Sequence, residues 1–124
     1  MKKILFSLIL GTALVTTGCG VFHASAPVPG SVNQFDSDTY LSLVSAKAVI
    51  DQTKTDLANG AFPASITANV KKAVNDAVNA YNVADVAWQQ YHTSATPAGQ
   101  SVVTSAMGNL QTAVNSVTNA KAGK

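Results

Sequence analysis

The amino-acid sequence predicts an all-α domain folded as an up-down-up three-helix bundle. Between residues 36 and 120, apolar side chains recur at spacings of three and four along three segments, as on one face of an α-helix. Each segment also has its own helix start and stop signals. No stretch shows the alternation of a strand, and the connections are only a few residues long, which favours antiparallel neighbours.

The first helix is expected over residues 37–58. Asp36, Ser37 and Asp38 are good N-caps, and acidic residues are favourable at the positive end of the helix dipole. Asn59-Gly60 is typical of a C-terminal stop. The predicted core face consists of Leu43, Ala46, Ile50, Thr53 and Leu57.

The second helix is expected from residue 64 or 65 to residue 92, because Pro63 suits a helix start. Its apolar stripe is the most regular in the chain, and its opposite side is polar, with Lys71, Lys72 and several Asn and Gln residues. The predicted stripe consists of Ile66, Val70, Ala73, Val74, Ala77, Tyr81, Ala84, Trp88 and Tyr91.

The third helix is expected over residues 97–120. Thr96-Pro97 has the form of an N-cap followed by proline at the first helical position. The predicted stripe consists of Val103, Ala106, Met107, Leu110, Ala113, Val114 and Val117.

The first 18 residues have the pattern of an export signal. Met1-Lys2-Lys3 is positively charged, residues 4–15 are predominantly apolar, and small residues follow. The apolar run is shorter than the roughly 20 residues of a transmembrane helix. The signal ends at Thr16-Thr17-Gly18, directly before Cys19, which is the only cysteine of the chain and therefore has no intramolecular disulfide partner.

The segment Thr16-Thr17-Gly18-Cys19 resembles the lipobox of bacterial lipoproteins, in which small residues precede an obligatory cysteine. The residue three before the cysteine is usually Leu in that family, and here it is Thr16. The resemblance implies cleavage after Gly18 and a thioether-linked diacylglycerol on Cys19. The protein would then be anchored in a membrane of the cell envelope, since two or three acyl chains bind a bilayer stably.

The chain is thus divided into a signal peptide (1–18), a lipidated cysteine with a flexible tether (19–35), a three-helix domain (36–120) and a tail (121–124). The tether is predicted because its early part is rich in Gly, Ala, Ser and Pro and shows no periodicity. Gly20, rather than Asp, follows the cysteine. In a host with two membranes this resembles lipoproteins sorted to the outer membrane, facing the periplasm.

The composition after Gly18 argues against several functions. Six lysines balance six aspartates, and there is no Arg or Glu. Nucleic-acid binding is not expected, because it needs a basic patch. No catalytic, phosphate-binding or cofactor motif is present, so we expect neither an enzyme nor a cofactor.

His92 is predicted to be a helix-terminus residue, where a cation favours the dipole. A metal site would need three or four converging ligands, and Asp85 lies about 10 Å away along the same helix. The aromatic residues Tyr81, Trp88 and Tyr91 are interpreted as core. Asp85, Gln89 and the short loops are the expected partners for their polar atoms.

Four apolar residues fall outside the predicted core faces: Leu41, Val44, Val83 and Val86. They are the candidate surface for a protein partner or for self-association. The first hypothesis is therefore a non-enzymatic structural or interaction module of the cell envelope. The alternative is a small-molecule or metal-binding helical module at the end of the second helix that carries Tyr81, Trp88, Tyr91 and His92.

Overall fold

The computed structural model describes residues 26–124, which form three α-helices and no strand. They are α1 (Gln34–Ala58), α2 (Ala64–Ser94) and α3 (Pro97–Lys121). The all-α three-helix prediction is confirmed. The predicted signal peptide and Cys19 lie outside the described residues.

The helix boundaries differ from the predicted ones at three ends. α1 begins three residues earlier, because Asn33 rather than Asp36 or its neighbours is the N-cap and accepts a hydrogen bond from the Asp36 backbone N–H. α2 continues two residues past His92 to Ser94, and α3 ends one residue later than predicted. Helix ends shift by a few residues in this way because capping groups, and not the apolar repeat, decide where a helix stops.

The two connections between the helices contain the predicted stop and start residues. Gly60 has a φ of 67° after the Asn59 C-cap of α1, a conformation that glycine adopts without steric cost. Thr96 caps α3 by accepting a bond from the Gly99 backbone N–H, and Pro97 is its first residue. Both turns are short, so consecutive helices run in opposite directions.

The core extends along the bundle as two clusters of apolar side chains. One lies between the start of α1, the end of α2 and the start of α3, and the other lies at the opposite end. α2 and α3 form the most extensive contact. α2 contributes several small residues to the core, such as Ala73, Ala84 and Ala87. Of the predicted stripes, Leu57, Ile66, Tyr81, Trp88, Met107, Ala113 and Val114 are half-buried and the others are buried.

Core packing and the predicted helix faces are tested together by two substitutions on different helices. Leu110 is 1% exposed within α3, whereas Lys72 lies on the open face of α2 and makes an ion pair with Asp76 at 2.7 Å. Leu110→Ala should lower the free energy of unfolding by about 2–5 kcal/mol, because it removes buried methyl groups and leaves a cavity. Lys72→Ala, its control, should change it by less than about 0.5 kcal/mol. Coinciding thermal melts for the two variants would contradict the assignment of the faces.

Candidate functional site

The most unusual group in the domain is the carboxylate of Asp36, which is completely buried. It accepts three hydrogen bonds, each from a different residue. The donors are the backbone N–H of Val32 at 2.9 Å, Nε1–H of Trp88 at 2.7 Å and Nδ1 of His92 at 2.7 Å. A buried carboxylate is tolerated only when such partners replace water.

Helix geometry explains why these groups meet. Asp36 is the third residue of α1, so its carboxylate lies at the positive end of that helix. Trp88 and His92 are four residues apart on α2 and therefore lie on one face, one above the other. Because α1 and α2 are antiparallel, the last turns of α2 are level with the first turn of α1.

The pKa of Asp36 reflects two opposing effects. Burial alone would raise it, since a low-dielectric environment disfavours the charged form. The hydrogen bonds from Val32, His92 and Trp88, together with the nearby imidazole, outweigh burial and lower the pKa of Asp36 below 3.8. Asp36 is therefore ionised at neutral pH.

Ionisation of Asp36 fixes the arrangement of the His92 ring. An ionised carboxylate only accepts hydrogen bonds, so the hydrogen lies on Nδ1 and donates to Asp36. Nε2 is the ring nitrogen that does not bond to Asp36, and the His92 side chain is 40% exposed. In chemical terms an oriented imidazole can hold or transfer a proton at Nε2 or provide a single metal ligand.

Aromatic rings surround this cluster. The Trp88 ring packs between Tyr40 and His92, with centroid distances of 5.5 and 5.3 Å. The rings of Phe35 and Tyr91 are nearly perpendicular, with their centroids 5.1 Å apart, and the Tyr91 hydroxyl accepts a 2.8 Å hydrogen bond from the Asn33 side-chain amide. These rings hold the end of α2 against the start of α1.

The chain before α1 is also bound to the cluster. Residues 28–31 form a turn in which the Ser31 N–H donates to the Val28 carbonyl at 3.0 Å, with Pro29 and Gly30 (φ 92°) at its centre. This is the residue pattern of a type II turn. The Val28 N–H then donates to the hydroxyl of the buried Ser37 at 2.9 Å. We call residues 28–33 the strap.

None of these partners follows from the apolar repeat. The sequence predicts Asp36 as a cap of α1, and Asp85, Gln89 or the short loops as partners of the aromatic polar atoms. Instead Trp88 donates to Asp36, and Asp85 accepts from Gln89 on its own helix. His92 does lie in the last turn of α2, as predicted, but it is also paired with Asp36. The predicted antiparallel arrangement of α1 and α2 contains a signal for this pairing, because it brings the start of α1, with Asp36, beside the end of α2, with His92.

Two further findings concern the polar side chains of residues 26–124. Within residues 26–124, no three His, Cys, Asp or Glu side chains come together as a metal site would need. Every buried side-chain nitrogen or oxygen of these residues has a hydrogen-bond partner.

The four residues of the candidate interaction surface are exposed. Leu41 and Val44 are 49% and 48% exposed, and Val83 and Val86 are 62% and 54% exposed. The helix repeat places Val83 and Val86 roughly 140–200° around α2 from Trp88, which faces α1. The two pairs therefore lie on separate faces of the bundle rather than in one patch.

No protein-family model, no curated protein and no solved structure matches this chain. Fold and site together define the described part as an all-α three-helix bundle in which Trp88 and His92 bond to the buried carboxylate of Asp36 at one end.

Because the pKa of Asp36 is lowered in the folded protein, its contribution to the free energy of unfolding should depend on pH in the acid range. Asp36→Asn should lower the free energy of unfolding at neutral pH by about 1–3 kcal/mol, because buried donors lose their charged acceptor. A group with a lowered folded pKa contributes fully above its unfolded pKa and loses that contribution as pH falls through the folded value. The difference between wild type and variant should therefore shrink below the ordinary value of 3.8.

Urea denaturation between pH 7 and pH 2 measures this difference. Asp38→Asn is the matched control, since Asp38 also lies in the first turn of α1 but accepts only an exposed bond from Gln34. A difference between wild type and Asp36→Asn that stays constant down to pH 2 would show that Asp36 is not an ionised acceptor.

Proposed function

We propose that this chain is a lipid-anchored protein of the bacterial cell envelope, and that its three-helix domain is a non-enzymatic structural or interaction module. The observation that carries the first half is the sequence Thr16-Thr17-Gly18-Cys19 after an export-signal pattern, with Cys19 the only cysteine. In a host with two membranes, the proposed location is the outer membrane, facing the periplasm.

The structure of residues 26–124 is compatible with an anchor of this kind. Within that part of the chain, no helix has both the length and the apolar character that a membrane span requires. α1 begins only 15 residues after Cys19, so the domain would lie close to the membrane surface.

The use of the ionisable groups supports a module without catalysis. His92 and Asp36 are the pair that most resembles catalytic machinery, and Asp36 is fully occupied by donors that hold three chain segments together. The lysine–aspartate pairs Lys47–Asp51 and Lys72–Asp76 are exposed neighbours on single helices. Such pairs are typical of a solvated helix surface.

The alternative is a small-molecule or metal-binding module at the end of α2. One observation favours it: His92 is oriented by Asp36, and its side chain is 40% exposed. Trp88 and Tyr91 support the first proposal instead, because their polar atoms bond to Asp36 and Asn33, and their rings pack against neighbouring aromatic side chains. Chemical shifts of His92 on addition of Zn²⁺ would separate the two.

Lipid attachment is tested by Cys19→Ser. The substitution should abolish incorporation of a labelled fatty acid and leave either uncleaved precursor or unanchored protein, because no other thiol is present to form the thioether. Metabolic labelling followed by gel analysis measures this. Equal label on wild type and variant would overturn the lipoprotein proposal.

The interaction surface is tested by the double substitution Val83→Asp with Val86→Asp. Both side chains are more than half exposed, so the helix content measured by circular dichroism should stay close to that of wild type. Two buried charges at an interface would weaken association with a partner or with a second copy. Crosslinking in whole cells should therefore lose adducts.

The control for that experiment is Val102→Asp, since Val102 is 57% exposed on α3 rather than α2. Leu41→Asp with Val44→Asp tests the face on α1. If a folded Val83→Asp, Val86→Asp variant crosslinks like wild type, this face is not the functional one.

A further inference from the structure

We propose that the strap, residues 28–33, fixes which end of the bundle faces the membrane: the end with the α2–α3 turn lies toward the lipid surface, and the end with the α1–α2 turn lies away from it. This inference rests on the proposed lipid attachment at Cys19. It adds an orientation and a membrane-facing end to that attachment.

The first step is where the chain becomes bound to the bundle. The Val28 N–H is bonded to Ser37 and the Val32 N–H to Asp36, both in the first turns of α1. The side chain of Asn33 makes two further bonds. Its Nδ2 donates to the Tyr91 hydroxyl, and its Oδ1 accepts from the Asp36 backbone N–H. Residues 28–33 are therefore bound to the end of the bundle that contains the start of α1, and Val28 lies level with the last turns of α2.

The second step is the length of chain between Val28 and Cys19. Val28 lies nine positions after Cys19, and even a fully extended chain of that length spans only about 30 Å. α2 has 31 residues, which at 1.5 Å per residue gives a bundle about 46 Å long. A lipid on Cys19 therefore cannot reach the surface if the bundle stands with the α1–α2 turn against the membrane.

The third step is the effect of the strap on the reach of the chain between Cys19 and the bundle. If the strap were free and the chain were bound only from Gln34 onward, 15 residues would separate the anchor from the bundle, a reach of about 50 Å. That reach matches the length of the bundle, so either end could approach the lipid. The strap bonds to Asp36 and Ser37 are what remove this freedom.

Trp88 is the only tryptophan of the chain and lies near the proposed membrane-facing end, so it serves as the fluorescence donor. The chain from Cys19 to Lys124 is coupled through its single thiol to a maleimide lipid in phosphatidylcholine vesicles that contain a dansyl-labelled lipid as acceptor. A second protein, Trp88→Phe with Phe62→Trp, moves the donor to the α1–α2 turn. Circular dichroism checks that each variant is folded.

Energy transfer from Trp88 should be severalfold more efficient than transfer from a tryptophan at position 62. In a matched control, an insertion of about ten Gly and Ser residues after Ala26 keeps the strap but lengthens the reach beyond the bundle. Asp36→Ala with Ser37→Ala, placed in both donor backgrounds, removes the acceptors of the Val32 and Val28 N–H groups and so releases this part of the strap without changing chain length. Both changes should bring the two transfer efficiencies closer together.

Equal transfer from the two positions in the uninserted chain would overturn the proposed orientation. Unchanged transfer after release of the strap would show that the strap does not set it. Because the coupling is chemical, either result is independent of whether cells acylate Cys19, which the fatty-acid labelling decides.

Discussion

The buried carboxylate of Asp36 is the constraint on which the architecture of this end of the bundle depends. An ionised group removed from water must be surrounded by donors, and truncating any donor leaves a charge poorly paired. Here the donors come from three places: the strap, through Val32, and two successive turns of α2, through Trp88 and His92. The carboxylate therefore fixes the start of α1, the end of α2 and the preceding chain relative to one another.

This arrangement also explains the contrast between the two ends of the domain. The other cluster of the core is built from aliphatic side chains such as Ile50, Val70 and Val117, which pack without directional bonds. At the Asp36 end, polar and aromatic groups replace part of that packing. Hydrogen bonds require defined geometry, so this end specifies a unique docking of the helices, whereas the alanine side chains of the core mainly allow the helices to approach closely.

The apolar periodicity was sufficient to predict the fold, because helix faces depend on local spacing. Residues such as Leu43, Val70 and Leu110 are buried where the three-and-four repeat places them. The Asp36–His92 pair could not be predicted in the same way, since the two residues are 56 positions apart and neither belongs to an apolar stripe. Asp36 also fits a cap position, and that local explanation concealed its long-range role.

The strap illustrates the same limit, with a consequence for function. Pro29 and Gly30 suggest a flexible segment when only composition is considered, yet the same two residues form the turn that lets Val28 bond to Ser37. Composition indicates which backbone conformations a segment can adopt. Whether the segment is held in one of them depends on the hydrogen-bond partners that the folded domain provides. Because Asp36 and Ser37 provide those partners, the buried polar groups at the start of α1 also set the path of the chain that precedes this helix. Val83 and Val86, by contrast, are exposed apolar side chains of α2.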